Sequence, residues 1–120
     1  MSQNLKLGKI GEQIAAHFLV QKGYEIVMQN FWTRVGEIDI VAQDHTSIVF
    51  VEVKTSSELM HGLPEQAVHY QKQRRLRKTI SAYLSKNQIE NFRIDVVAIS
   101  QGFSSKKILI RHHKAVLNIF

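Results

Sequence analysis

Apolar residues near the start of the chain recur at helical spacing. Ile10, Ile14 and Phe18 fall at i, i+4 and i+8, and Leu7, Ala15 and Leu19 widen the stripe. The pattern predicts an amphipathic helix from roughly Leu5 to Lys22, stopped by Gly23. The period then shortens to that of strands. Tyr24 to Met28 reads as a short strand with Asn30 near its end, and Glu37 to Ala42 alternates charged residues with Ile38 and Ile40. Asp44-His45-Thr46 supplies a hairpin turn. Ser47 to Thr55 is β-branched or aromatic almost throughout, as expected of a central strand covered on both faces. A loop with Ser and Gly runs from Ser56 to Leu63, and Pro64 suits the first turn of a second helix extending to about Ser85. Val68, Leu76, Ile80, Tyr83 and Leu84 form its apolar register. Asn87 and Asn91 bracket a turn, and strands are expected at Phe92 to Ile99 and Lys107 to His112, on either side of a loop at Gly102. The order is αβββαββ, an α/β domain spanning residues 1–120 with no repeat and no internal linker.

Two of these strands carry charges where apolar residues belong. Gly36-Glu37-Ile38-Asp39-Ile40-Val41 and Ile48-Val49-Phe50-Val51-Glu52-Val53-Lys54 hold three carboxylates and a lysine in otherwise core-like sequence. Burying such groups without partners costs several kcal/mol each, so a metal, a partner or a substrate should compensate. Side chains alternate along a strand, which places Glu37 and Asp39 on one face with Ile38 and Ile40 opposite, and Glu52 and Lys54 on one face with Val51 and Val53 opposite. If the strands pair with their charged faces together, Asp39, Glu52 and Lys54 converge. Two carboxylates and a backbone carbonyl, that of Val53, suffice to hold Mg2+ or Mn2+, which take hard oxygen ligands and keep several waters. Such an ion polarises a phosphate and helps generate a hydroxide, while Lys54 adds charge where it develops in the transition state. A lone Glu-x-Lys is ordinarily a strand-end ion pair. An acid on one strand, a short turn and then Glu-x-Lys in an apolar run is a more specific pattern, and it favours a metal-dependent phosphodiesterase site.

Two helix residues bear on that site. Glu12 lies between Ile10 and Ile14 and could supply an outer carboxylate, although a surface glutamate is the plainer reading. Lys72 falls in register with Val68, Leu76 and Ile80, where it either snorkels along apolar surface or reaches a scissile phosphate. It opens the run Lys72-Gln73-Arg74-Arg75-Leu76-Arg77-Lys78, whose Arg74, Arg75, Arg77 and Lys78 are expected to touch a DNA backbone; the competing reading is a solvated face.

Composition supports a polyanionic partner. The formal net charge is +6 and the sequence pI near 9.8, which favours nucleic acid through counterion release. There is no cysteine, so disulfides, thiolate zinc sites and thiol catalysis are excluded, and a cytoplasmic location fits. No apolar run approaches the length of a membrane span, and Met1 to Lys9 lacks the apolar core of a signal peptide, so no membrane association is expected. The six histidines show no ligand spacing, and no Gly-rich phosphate loop appears. Phe31 and Trp32 have rings that could stack on bases, but packing is the expected role.

The chain resembles the YraN family, small bacterial proteins predicted to be endonucleases related to archaeal Holliday-junction resolvases. The resemblance runs through Gly8-x-x-Gly11-Glu12, Gly23-Tyr24, Asn30, Gly36-Glu37-Ile38-Asp39, Phe50-Val51-Glu52-Val53-Lys54-Thr55, Lys72 and Arg93-Ile94-Asp95-Val96-Val97. It implies the restriction-endonuclease-like, PD-(D/E)XK fold, a mixed central sheet of about five strands flanked by helices. It also implies metal ligation by Asp39 and Glu52, assistance from Glu12, nucleophile activation by Lys54 and a phosphate contact by Lys72. Resolvases act as symmetric dimers, so a homodimer is implied as well. Where family members often carry an arginine soon after Glu-x-Lys-Thr, this chain has Ser56-Ser57, a departure that puts in doubt the phosphate contact that the resemblance would otherwise imply there.

The expected function is therefore a Mg2+- or Mn2+-dependent endonuclease acting on DNA, including branched or otherwise structured DNA. The rival is a non-catalytic nucleic-acid-binding or adaptor protein that keeps the fold. A purely structural interaction domain accounts least well for the strand charges.

Overall fold

The computed structural model describes residues 3–57, 70–101 and 107–115. Helix α1 spans Gln3–Gln21 and is followed by strands β1 (Glu25–Trp32), β2 (Glu37–Asp44) and β3 (Ser47–Ser57). Helix α2 (Tyr70–Lys86) then leads to β4 (Phe92–Gln101) and β5 (Ile108–His113). The strands form one mixed sheet in the order β1-β2-β3-β4-β5, antiparallel throughout except for the parallel β3–β4 pair. Parallel neighbours need a crossover, and α2 lies in it. This is the expected αβββαββ order and is compatible with a restriction-endonuclease-like fold. The expected start of the second helix at Pro64, its Val68, and the loops after Ser57 and at Gly102 lie outside the described residues.

The helices cover opposite faces of the sheet. Ala15, Ala16 and Leu19 of α1 are buried against Ile40, Ala42, Val49, Val51, Val97 and Ile99. Leu76, Ile80 and Tyr83 of α2 are buried against Ile38, Val41, Phe50 and Ile94. Strand β3 contributes alternate residues to both clusters, the physical reason its sequence reads as a nearly continuous apolar run. No helix among the described residues is long and apolar enough to cross a membrane.

Local chemistry sets the element ends. Gly23 has φ 97°, and the paired bonds Gly23 N to Val20 O (3.0 Å) and Tyr24 N to Leu19 O (2.9 Å) close α1 in a Schellman motif. His45 (φ 57°) sits in the two-residue turn between the paired Asp44 and Ser47. Strand β1 runs farther than Tyr24 to Met28 because it stays paired with β2 as far as Trp32, past a register shift between Ile26 and Met28 and past Asn30, which adopts φ 58°. Asparagine tolerates that left-handed conformation better than most residues.

The expected alternation breaks at one point. Ile38 joins the α2-side cluster and Ile40 the α1-side cluster, although they are two residues apart. The β2–β3 ladder ends at Ile40–Val51, while β2 stays paired with β1 down to Glu37. The first residues of β2 thus leave β3 with β1, and the strand turns as it parts.

Two close approaches lock the helices onto this region. A methyl group added at Gly11 of α1 would overlap the Thr55 methyl of β3, so only glycine lets the helix sit at this depth. One added at Gly36 would come within 3.0 Å of the Thr79 hydroxyl and 3.4 Å of Arg75 Cβ, both on α2.

The Arg93-Ile94-Asp95 segment serves the fold. Fully buried Asp95 accepts hydrogen bonds from Arg93 Nε (3.0 Å) and the Ala115 amide (3.0 Å), and His112 Nε2 lies 2.8 Å from its Oδ2. Arg93 also bridges to Asp44 at 3.1 Å and to the Tyr24 hydroxyl, tying β2, β4, β5 and the entry to β1 together. Burial alone would raise the Asp95 pKa, but the bonds from His112, Arg93 and Ala115 outweigh it and hold the carboxyl below its ordinary value.

Two substitutions test this frame. Asp95→Ala takes the acceptor from the Ala115 amide and from buried His112, while Arg93 keeps Asp44, and should cost about 1–3 kcal/mol in urea unfolding. Gly11→Ala should lose about 1–3 kcal/mol through overpacking, against the gain of up to about 1 kcal/mol that helix propensity alone would give. A stabilised Gly11→Ala protein would refute the close approach.

Candidate functional site

Where β2 and β3 part, their backbone groups lose each other as partners. The Asp39 carboxylate fills the gap by accepting the Val53 amide hydrogen at 2.8 Å. That bond fixes the acid at the fork, in a cavity of about 340 Å³ that Glu12, Glu37, Glu52, Val53 and Arg75 also line. One carboxylate oxygen each of Glu12, Glu37 and Asp39 lie within 4.8 Å of one another. Asp39 and Glu52 are buried, Glu12 is half-buried and Glu37 is exposed.

Each acid arrives from a different piece of local structure. Glu12 follows Gly11, whose missing side chain brings α1 down onto Thr55. The Glu12 carboxylate accepts a hydrogen bond from the Asn30 side chain, so the left-handed Asn30 also orients an acid of the cavity. Glu37 opens β2 immediately after Gly36, which packs under α2. Glu52 follows Val51, the last β3 residue paired with β2.

The crowding has an electrostatic consequence. Burial, with the neighbouring Glu52 and then Glu12 and Glu37, pushes the Asp39 carboxyl up to about 8, against the lowering effect of the Val53 bond. Partial burial, then Glu37 and Glu52, raise the Glu12 pKa as well, with Lys9 and Asn30 opposing. Like charges gathered at a partly buried opening fit a site for a cation, and the donors are hard carboxylate oxygens suited to magnesium or manganese.

Of the residues singled out in the sequence, Glu12, Asp39, Glu52 and Val53 meet at this cavity. Lys54 is half-buried two residues beyond Glu52, opposite Ala98 of β4, and does not line the cavity. Arg75 does line it, so the basic run of α2 supplies a cation at the acids themselves. Arg74, Arg75 and Lys78 also face an adjoining cleft of about 850 Å³, together with Trp32 and Arg34. Arg77 is exposed outside both, and the Lys72 side chain lies outside the described residues. Glu37 is the member the strand pattern undervalued. Its place in the sequence beside Gly36 was visible, but its approach to Glu12 follows from the docking of α1.

Comparison with known proteins matches residues 11–99 to the uncharacterised protein family UPF0102. The chain is 48% identical over 102 residues to a UPF0102 protein of Syntrophus aciditrophicus, covering 83% of this chain and 80% of that one. It is 46% identical over 113 residues to one from Alkaliphilus oremlandii, covering 91% and 95%, respectively. A UPF0102 protein of Caldanaerobacter subterraneus is 35% identical over 116 residues, 95% and 93% of the two chains.

The raised Asp39 carboxyl predicts how metal-free stability varies with pH. Between its ordinary value of 3.8 and about 8 the folded protein holds a proton that the unfolded chain has released. The associated stability is complete at acid pH and is lost as pH rises through about 8. The urea midpoint in chelator should therefore fall over this range, and Asp39→Asn should flatten the decline. An unchanged slope in that variant would assign the effect elsewhere.

Proposed function

The chain belongs to the UPF0102 family, and for this member we propose a metal-dependent endonuclease that hydrolyses phosphodiester bonds in DNA, including branched or otherwise structured DNA. The convergence of Glu12, Glu37, Asp39 and Glu52 on one cavity, with two of the four acids buried, carries the proposal. Uncompensated, that arrangement costs stability; with a divalent cation it becomes a site. Asp39 and Glu52 would hold the ion with the Val53 carbonyl, and Glu12 and Glu37 would assist directly or through water. Bound there, Mg2+ or Mn2+ supplies Lewis acidity and neutralises charge on the phosphodiester.

The protein's own groups do the remainder. Lys54 orients the attacking water through its flexible stem and stabilises charge as it develops. Arg75 on the cavity wall holds a non-bridging phosphate oxygen, where its planar fork suits bidentate contact. Arg34, Arg74 and Lys78 bind flanking phosphates along the adjoining cleft, exposed Arg77 extends the basic surface of α2, and Lys72 is proposed as a further phosphate contact. A cytoplasmic location fits a DNA-acting chain without cysteine, and by analogy with resolvases, which cleave two equivalent strands, the proposal includes a homodimer. Sedimentation as a monomer on four-way DNA would remove the dimer from this account.

Labelled linear, single-stranded, flap and four-way DNA, incubated with and without divalent metal, tests the activity. Metal-dependent cleavage should fall by at least about 100-fold in Asp39→Asn and in Lys54→Ala. Titration calorimetry should detect Mn2+ binding that Asp39→Asn abolishes. Tight DNA binding without cleavage on any substrate or metal would instead identify a non-catalytic adaptor.

A further inference from the structure

Trp32 is the sole tryptophan of the chain, and 70% of it is exposed to solvent. Its neighbour Phe31 behaves as an ordinary packing residue, partly buried against the α2-side core with its ring 5.2 Å from that of Tyr83. A single exposed apolar side chain needs no explanation in itself. The surroundings of Trp32 are what distinguish it.

The strand end that carries the ring is braced by a closed turn. Trp32 ends β1 paired with Glu37, one of the clustered acids, so the two residues stand directly across from each other on adjacent strands. The connection between them is closed by a Thr33 amide to Gly36 carbonyl bond of 2.8 Å and braced by the Val35 amide to the Thr33 hydroxyl at 3.2 Å. Opposite residues of an antiparallel pair put their side chains within contact range. Trp32 therefore stands one residue pair from the acidic cavity.

Trp32 also lines two clefts. One, of about 850 Å³, has Arg34, Arg74, Arg75 and Lys78 on its wall with Glu37; the other, of about 570 Å³, has Lys9, Gln29 and Asn30 beside the acids Glu12 and Glu37. A large π-face flanked by cations and amides is the chemistry of a stacking platform, where the ring takes a base and the cations take its phosphates. Bases inside a duplex have both faces covered by neighbours, so such a platform accepts only a base that is unpaired or turned out.

We infer that Trp32 stacks on an unpaired nucleobase beside the scissile phosphate, and that the preferred substrate is DNA with a single-stranded or unstacked nucleotide at that position. The inference rests on the nuclease reading for the word scissile, but the stacking itself is tested without cleavage.

Because Trp32 is the only tryptophan, its fluorescence reports the contact directly. In chelator, the full chain is titrated with oligothymidylate, with an abasic oligomer of equal length and charge, with blunt duplex and with oligouridylate. Oligothymidylate should quench the emission and bind at least tenfold more tightly than the abasic oligomer. Both variants lack the fluorophore, so their binding is read by anisotropy of end-labelled oligomers: Trp32→Ala should remove that tenfold preference, whereas Trp32→Phe should keep most of it. Circular dichroism verifies that both variants fold, as expected of a residue so exposed. Equal quenching and affinity with abasic or blunt duplex DNA would overturn the inference, as would an unaltered preference in Trp32→Ala. Tighter binding of oligouridylate than of oligothymidylate would overturn DNA as the substrate. Quenching without nuclease activity on any substrate would uphold the stacking site and refute only the catalytic proposal.

Discussion

The hydrogen bond from the Val53 amide to Asp39 is the constraint on which the candidate site depends. A sheet is held by reciprocal backbone bonds, and a ladder that ends inside the protein leaves donors and acceptors to be satisfied otherwise. Here a side-chain carboxylate takes that place at 2.8 Å, so β2 and β3 separate without leaving the Val53 amide unsatisfied. The separation makes the cavity, and the same bond anchors an acid within it. One interaction thus serves both continuity of the fold and placement of a candidate ligand.

Glycine makes the rest of the arrangement possible. Without the bare backbone of Gly11 against Thr55, α1 would ride higher on the sheet and carry Glu12 away from the other acids. Gly36 does the same under α2, bringing Glu37 and Arg75 to the lining of one opening. These approaches bring like charges together, which burial penalises and which raises the Asp39 carboxyl. The two apolar clusters and the paired Asp95 network supply the rigidity to hold such a cluster in place. Asp39 and Asp95 illustrate two fates of a buried carboxylate. Asp95 has a cation and two further donors and stays ionised, whereas Asp39 has one amide and several acids and does not.

Much of this was legible in the residues. The spacing of Ile10, Ile14 and Phe18, the stop at Gly23, the turn at His45 and the β-branched run of β3 are local signals, decided by neighbours a few positions away. The acids in β2 and β3 stood out because their surroundings were apolar. Other features gave no such signal. The change of face between Ile38 and Ile40 depends on where β3 stops pairing. The placing of Arg75 at the acids, rather than only on a solvated helix face, depends on how α2 seats over Gly36. Trp32 and Phe31 read alike as aromatic residues, yet one is packed and the other bare.

By itself, then, the amino-acid sequence determined the order of elements, the α/β class and the identity of most of the candidate acids. Periodicity, turn chemistry and the cost of burying charge are properties of short segments, and they survive translation into three dimensions. Only the tertiary structure decided which acids share an opening, that Glu37 joins them, that Lys54 stands outside the cavity while Arg75 lines it, and that Trp32 faces solvent between two clefts. Those outcomes come from helices docking on a sheet at depths set by single glycines and from a strand pair that parts at one residue. No window of neighbouring residues contains that information.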